Sequence, residues 1–415
     1  MSKQLRIWLF AILGTLLTST SLLAQGVITF TTAKAVGETV MLKMNYTGAT
    51  PTLSGATGTP ISGTEVTYTL TSQTVTIQGD VTGLYCNRNQ LTALDVSKNT
   101  ALTSLVCSYN QLTALDLSHN TELTELYCPD NQLTALDVSK NTALTSLSCP
   151  DNQLTTLDLS QNTELTLLYC YTNQLTALDV SKNTALIWLD CYNNQLKALD
   201  VSKNTALTAL GCFDNQLTAL DVSKNTALTR LYCYNNQLKA LDVSKNKNTK
   251  LSILNCSDNQ IKGEEMTRLV NSLPDRTGKD AGRFIVVQEP APDGNICLQS
   301  DVAIAKGKNW NTLKYKSDTK IYVPYEGTED AQSLKVTLTK EGEGMKLYPN
   351  PATDYVIVEG VAPASEVTLH GLTGERLYAG RADDRGTLQI DLTPYADGVY
   401  LVCVAGETYR VVVRH

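Results

Sequence analysis

Cysteine recurs along this chain at a fixed interval. Cys86, Cys107, Cys128, Cys149, Cys170, Cys191, Cys212 and Cys233 stand 21 residues apart, and Cys256 follows after 23. A disulfide framework has no constant period, whereas a repeat architecture does, so the spacing describes stacked coils. Between the cysteines run two short versions of one pattern, LxxLxCxxNQL and then LxxLDVSxN, as in LTSLVCSYNQLTALDLSHNTE from Leu102 onward. A single unit cannot bury its apolar face, so neighbouring units must cover one another. In Leu105-Val106-Cys107, strand alternation turns leucine and cysteine inward and Val106 outward. Nine strands at a spacing of about 4.8 Å make a solenoid roughly 40 Å long. Asn89, Asn110, Asn131, Asn152, Asn173, Asn194, Asn215, Asn236 and Asn259 close the strands, with side chains suited to satisfying turn backbone groups.

Both half-patterns match the leucine-rich-repeat signature, with cysteine replacing one leucine. Over about 81–261 the 21-residue unit and its cysteine ladder resemble the internalin J type of bacterial leucine-rich-repeat adhesin. The expected fold is mainly β, a solenoid of nine repeats with parallel strands. The inward cysteines are expected to be free thiols packed as small hydrophobes. In-register neighbours would make strained disulfides, and a straight file of thiols is not a tetrahedral metal site.

The second half-repeat carries Asp95, Asp116, Asp137, Asp158, Asp179, Asp200, Asp221 and Asp242, with lysines three residues later at Lys98, Lys140, Lys182, Lys203, Lys224 and Lys245. This reads as a solvated back face on which unlike charges offset each other. No glycine-rich calcium loop accompanies the carboxylates, so neither a metal nor another cofactor is expected.

The repeats differ mainly at outward positions of the cysteine strand. Before the cysteine stand Tyr85, Val106, Tyr127, Ser148, Tyr169, Asp190, Gly211, Tyr232 and Asn255. After it come Asn87, Ser108, Pro129, Pro150, Tyr171, Tyr192, Phe213, Tyr234 and Ser257. Two positions further back than the first set are Glu125, Leu167, Trp188 and Arg230. In repeats five to eight, Leu167, Tyr169, Tyr171, Trp188, Tyr192, Phe213, Tyr232 and Tyr234 are expected to form one patch, with Arg230 as a charged contact. Aromatic and arginine side chains are the residues enriched at binding hot spots. The competing reading is that the rings stack along the ladder for stability.

The flanks differ in character. Residues 1–24 read as a secretory signal, with Lys3 and Arg6 before an apolar run too short to span a bilayer. Residues 25–80 read as a β-rich N-terminal cap. Residues 262–325 read as an α/β C-terminal cap, with a helix over 263–273, a strand over 284–287 and a second helix through 302–308. Residues 326–344 read as a linker. Alternation over 355–358, 367–369, 388–392, 400–404 and 409–413 predicts five short strands in a small β-sandwich spanning 345–415.

Tyr348-Pro349-Asn350-Pro351, the Gly398-x-Tyr400 turn and the basic tail resemble the C-terminal sorting domain of type IX secretion in the Bacteroidetes. That resemblance implies the secretion machinery as a partner, then removal of the domain and attachment of the rest to surface lipopolysaccharide. The expected location is secreted or on the outer-membrane surface. Formal charge is −7, and −9 once Lys3 and Arg6 leave with the signal, which disfavours nucleic acid. Three histidines and no nucleophile elbow, Walker loop or metal-binding helix argue against an enzyme. The sequence therefore points to a monomeric adhesin-like binding protein for a protein or glycan on host or bacterial surfaces. The alternative is a non-binding structural surface protein.

Overall fold

The computed structural model describes residues 26–246, 250–290, 293–329, 345–371, 375–405 and 407–415. The expected signal, over 1–24, and most of the expected linker, 330–344, lie outside the described residues. The chain forms two compact units, one of Met1–Ile296 with Ile304–Tyr325 and one of Cys297–Ala303 with Glu326–His415. Residues 297–303, read from sequence as cap, therefore group with the C-terminal unit.

The first unit is a solenoid built on one 15-stranded sheet. Val81–Tyr85 and Ser104–Val106 pair in parallel, and seven further strands extend the ladder to Ile253–Asn255. Register is one to one, Leu126 against Leu147 against Leu168, because each coil has the same length. The leucines and all nine ladder cysteines are fully buried, and every cysteine is a free thiol.

Two asparagine ladders hold the coils together. Asn110 Oδ1 accepts from Leu91 N at 2.9 Å, while its Nδ2 donates to Cys86 O at 3.1 Å and Cys107 O at 2.9 Å. One buried amide thus satisfies backbone groups of two coils, which answers where the turn's hydrogen bonds go. In the second half-repeat Asn120 Nδ2 donates to Val96 O at 3.1 Å and Asn99 O at 2.9 Å.

The aspartate ladder has a local job in addition to the charge offset expected from the sequence. Asp137 Oδ1 accepts from Ser139 N at 2.9 Å, and Asp116, Asp158, Asp179, Asp200 and Asp221 repeat the bond. Among the described residues none of these carboxylates is ion-paired to a ladder lysine. The backbone bond is the main reason these carboxyls titrate below the usual range.

At the N-terminal end, Thr39–Tyr46 pairs antiparallel with Val81–Tyr85 and continues one wall of the solenoid. Val27–Thr32 pairs with Leu91–Asp95 and continues the other. The apolar end of the first coil is therefore covered by two sheets. At the far end, helix Glu264–Ser272 buries Met266, Leu269 and Val270. Gly282–Glu289 and Trp310–Lys316 extend the sheet in parallel, and Ile321–Pro324 closes it antiparallel.

The C-terminal sandwich packs a three-stranded sheet and a four-stranded sheet around Val356, Val358, Val367, Leu369, Ile390, Val402 and Val411. Among the described residues it contains seven strands where the alternation predicts five. Lys346–Tyr348 and Arg376–Arg381 are the additions. Both are edge strands, paired on one side only and lacking a fully buried residue, so alternation could not mark them.

Candidate ligand-binding face

Three columns of side chains run along the outward face of the ladder. Leu167, Trp188, Ala209 and Arg230 are register partners in the first. Tyr169, Asp190, Gly211 and Tyr232 make the second. In the third, Tyr171, Tyr192, Phe213 and Tyr234 stack at centroid separations of 4.3, 4.1 and 4.2 Å, with interplanar angles of 8°, 11° and 13°. All nine residues singled out from sequence thus lie on one continuous face.

The stack decides what a ligand can meet. Rings repeated at strand spacing are forced face to face, so each inner ring gives both faces to its neighbours. Ring edges and the tyrosine hydroxyls are what remain at the surface. Such contacts add about 0.5–1.5 kcal/mol per pair beyond area burial, so part of the third column's role is internal to the fold. Burial raises the hydroxyl pKa of Tyr171, Tyr192 and Tyr234 above the ordinary phenol value, which keeps them neutral hydrogen-bonding groups.

The first column is built differently. Trp188 donates from Nε1 to Asp190 Oδ2 at 2.8 Å, which fixes the indole. Ala209 beside it is too small to fill the row, and Arg230 reaches across that gap to 5.6 Å from the Trp188 ring. Tyr169 sits 6.3 Å from Trp188 at a tilt of 53°. Asp190 is half-buried, and burial raises its carboxyl above the usual range.

Some members of the face were not marked by the sequence analysis. In six coils the residue before the first column is a threonine whose Oγ1 donates to the preceding coil, as Thr166 does to Thr145 O at 3.0 Å. Coil six has Ile187 there, 43% exposed beside Trp188. That break in an otherwise regular position was legible in the sequence. Arg283, Tyr315 and Tyr322 were not, because they lie beyond the last repeat. Arg283 extends the first column past Ile253 and lies 4.9 Å over the Tyr322 ring. Tyr322 stacks obliquely on Tyr315 at 5.1 Å.

The N-terminal half of the face is plainer. Ser104, Ser108, Ser146 and Ser148 are buried, and Tyr127 bonds Ser146 Oγ at 2.9 Å. Tyr85 lies under Lys43 of the cap at 4.7 Å. Behind the face, a turn position in every coil has positive φ, from Arg88 at 60° to Asp258 at 50°. Asp130, Asp151, Asn193, Asp214 and Asn235 occupy it, residues that tolerate the left-handed region. Among the described residues no three His, Cys, Asp or Glu side chains converge to hold a metal.

Comparison with known proteins adds an identity for one segment. Residues 346–414 match the family described as the secretion system C-terminal sorting domain. That domain places the chain in type IX secretion and at the cell surface or outside the cell. No helix among the described residues is long and apolar enough to cross a membrane. No curated protein matches the chain. Among solved structures, the functional domain of InlJ from Listeria monocytogenes, which includes a cysteine ladder, is similar at 23% identity, covering 83% of this chain and 94% of that one, with a TM-score of 0.41. A leucine-rich-repeat protein of Leptospira interrogans shares 22% identity over 56% of this chain and 65% of its own, with a TM-score of 0.43. The Listeria internalin InlF shares 21% over 57% and 80%, with a TM-score of 0.40.

Proposed function

We propose that this surface or secreted solenoid is an adhesin-like recognition protein that acts by binding, not catalysis. The C-terminal half of its sheet face takes a protein or glycan ligand on a host or bacterial surface. One observation carries the reading. Within a repeat whose motif positions barely change, large half-buried side chains gather over coils five to eight around exposed Ile187 and Arg230, and the face continues into the cap through exposed Arg283 and Tyr322. Exposed Ile187, anchored Trp188 and protruding Arg230 supply apolar area, a rigid plane and a charge side by side. The file of thiols offers little to a nucleophilic mechanism, since burial pushes Cys107 and Cys149 up to about 12.

A second reading is supported by the four-ring stack, which stabilises the ladder with or without a ligand. Trp188→Ala and Tyr192→Ala separate the two. As hot spots they should weaken cell or ligand binding by about 1–3 kcal/mol, measured with the labelled full-length chain, while Tyr85→Ala leaves it unchanged. Equal adhesion by all three variants, with a lower melting temperature for Tyr192→Ala, would make the face structural.

A further inference from the structure

At the C-terminal end of the face, next to Arg230, the solenoid has a concavity of about 750 Å³. That volume falls within the roughly 300–1,000 Å³ of small-molecule sites. Arg230, Lys250, Arg276, Lys279 and Arg283 line it, together with Asp280. Five cations in one hollow are not a by-product of composition in a chain of net charge −7. Among the described residues none of the five has a carboxylate within ion-pair distance.

The three arginines are also held in place. Arg276 is only 8% exposed, with Nη1 donating to Leu251 O at 2.8 Å and Nε to Asp280 O at 3.0 Å. Its guanidinium lies 5.8 Å from the Trp310 ring. Arg230 and Arg283 each rest on an aromatic ring, Trp188 and Tyr322. An arginine seated on a ring keeps its N–H edge free for a planar or tetrahedral oxyanion.

Asp280 narrows the ligand class. A carboxylate in an anion site opposes a bare anion or an acidic peptide, yet it is a good acceptor for hydroxyl groups. Thr229 and Ser252, also in the lining, donate their hydroxyl protons to Thr208 O and Thr229 O and so offer oxygen lone pairs as well. The pocket therefore suits a ligand that carries both negative charge and many hydroxyls.

We propose that this concavity binds an acidic sugar, a saccharide unit bearing a carboxylate or sulfate. Arg230, Lys279 and Arg283 meet its charge, and Asp280 accepts from its hydroxyls. The inference rests on the reading of the face as a recognition surface and gives that surface a ligand class.

Calorimetry on the full-length chain tests it, with glucuronic acid and galactose 6-sulfate as probes against galactose, sodium sulfate and a pentaglutamate peptide. The acidic sugars should bind, the neutral sugar should not, and affinity should fall as salt rises. Arg283→Gln and Lys279→Gln, both at exposed positions, should each weaken binding by about tenfold, while Arg268→Gln on the Glu264–Ser272 helix leaves it unchanged. Asp280→Ala, which removes both the acceptor and the negative charge, should strengthen sulfate and narrow its gap to the acidic sugars. Equal affinity for sulfate and the acidic sugars would reduce the hollow to a nonspecific anion site, and equal affinity for pentaglutamate would make the ligand a protein; either overturns the proposal. So does the absence of acidic-sugar binding, and if Trp188→Ala still abolished cell binding, the recognition reading would stand without the pocket.

Discussion

Gly211 has no room for a side chain, since a Cβ there would stand 2.3 Å from Asp190 Oδ1. The neighbouring carboxylate occupies that space, half-buried, with Trp188 Nε1 as its bonded partner. Burial is the larger influence, and it raises the Asp190 pKa despite the indole bond, which acts to lower it. An acid whose folded pKa lies above its unfolded value is best tolerated when protonated. Its contribution is fully present below the unfolded value, near 3.8, and is lost as pH rises through the folded value. Asp190→Asn keeps an acceptor for the indole and removes the ionisation. The variant is expected to be at least as stable as the parent at pH 7, with the gap closing as pH falls toward 3.5. Chemical denaturation at both pH values measures this; a variant less stable at pH 7 by the same margin as at pH 3.5 would sink the account. The residue thus marks where orienting Trp188 costs the fold something.

At the scale of the element, the cysteine ladder is a file of thiols one coil apart, each with leucines for company. Cys170→Ser places a hydroxyl in that file, and a buried hydroxyl without a partner costs about 1–3 kcal/mol. Lower stability by that amount is expected in urea unfolding. Alkylation of the native parent should label none of the nine ladder cysteines, and unfolding should expose them all. Such a ladder was legible in the sequence because identical coil lengths make the register and the inward set one fact. The aromatic face was legible for the same reason: variation stands out against a fixed motif. What surrounds it was not. Arg283 and Tyr315 join the face only because Gly282–Glu289 and Trp310–Lys316 continue the parallel sheet after the repeat signature has ended, and Tyr322 because Ile321–Pro324 then pairs antiparallel. The basic hollow draws on coil eight, residues 250–253 entering the ninth strand and the 276–283 segment, and no local pattern links those three. Stacking also changed the chemistry of the residues on this face. Sequence supplied the rings, but strand spacing decided that Tyr192 and Phe213 present edges.

At the scale of the molecule, the coils and the export domain are built from different residues. The sorting sandwich closes its own core with Val356, Val367, Ile390, Val402 and Val413, and its sequence shares nothing with the 21-residue coil. The coils are buried by their neighbours and by strands at both ends of the ladder, none of which comes from 346–414. Removing 346–415 should therefore leave the ladder intact while taking away the export address. The expected result is a truncated chain with its coil cysteines still protected from alkylation, retained in the cell envelope. The full chain should reach the surface and be accessible there to added protease. Fractionation with surface proteolysis reads the two cases apart, and the alkylation pattern checks that retention is not simple unfolding. A truncated chain found folded on the surface would separate this segment from export. A truncated chain with reactive ladder thiols would show that the sandwich supports the solenoid after all, and the division of labour drawn from the two cores would fail.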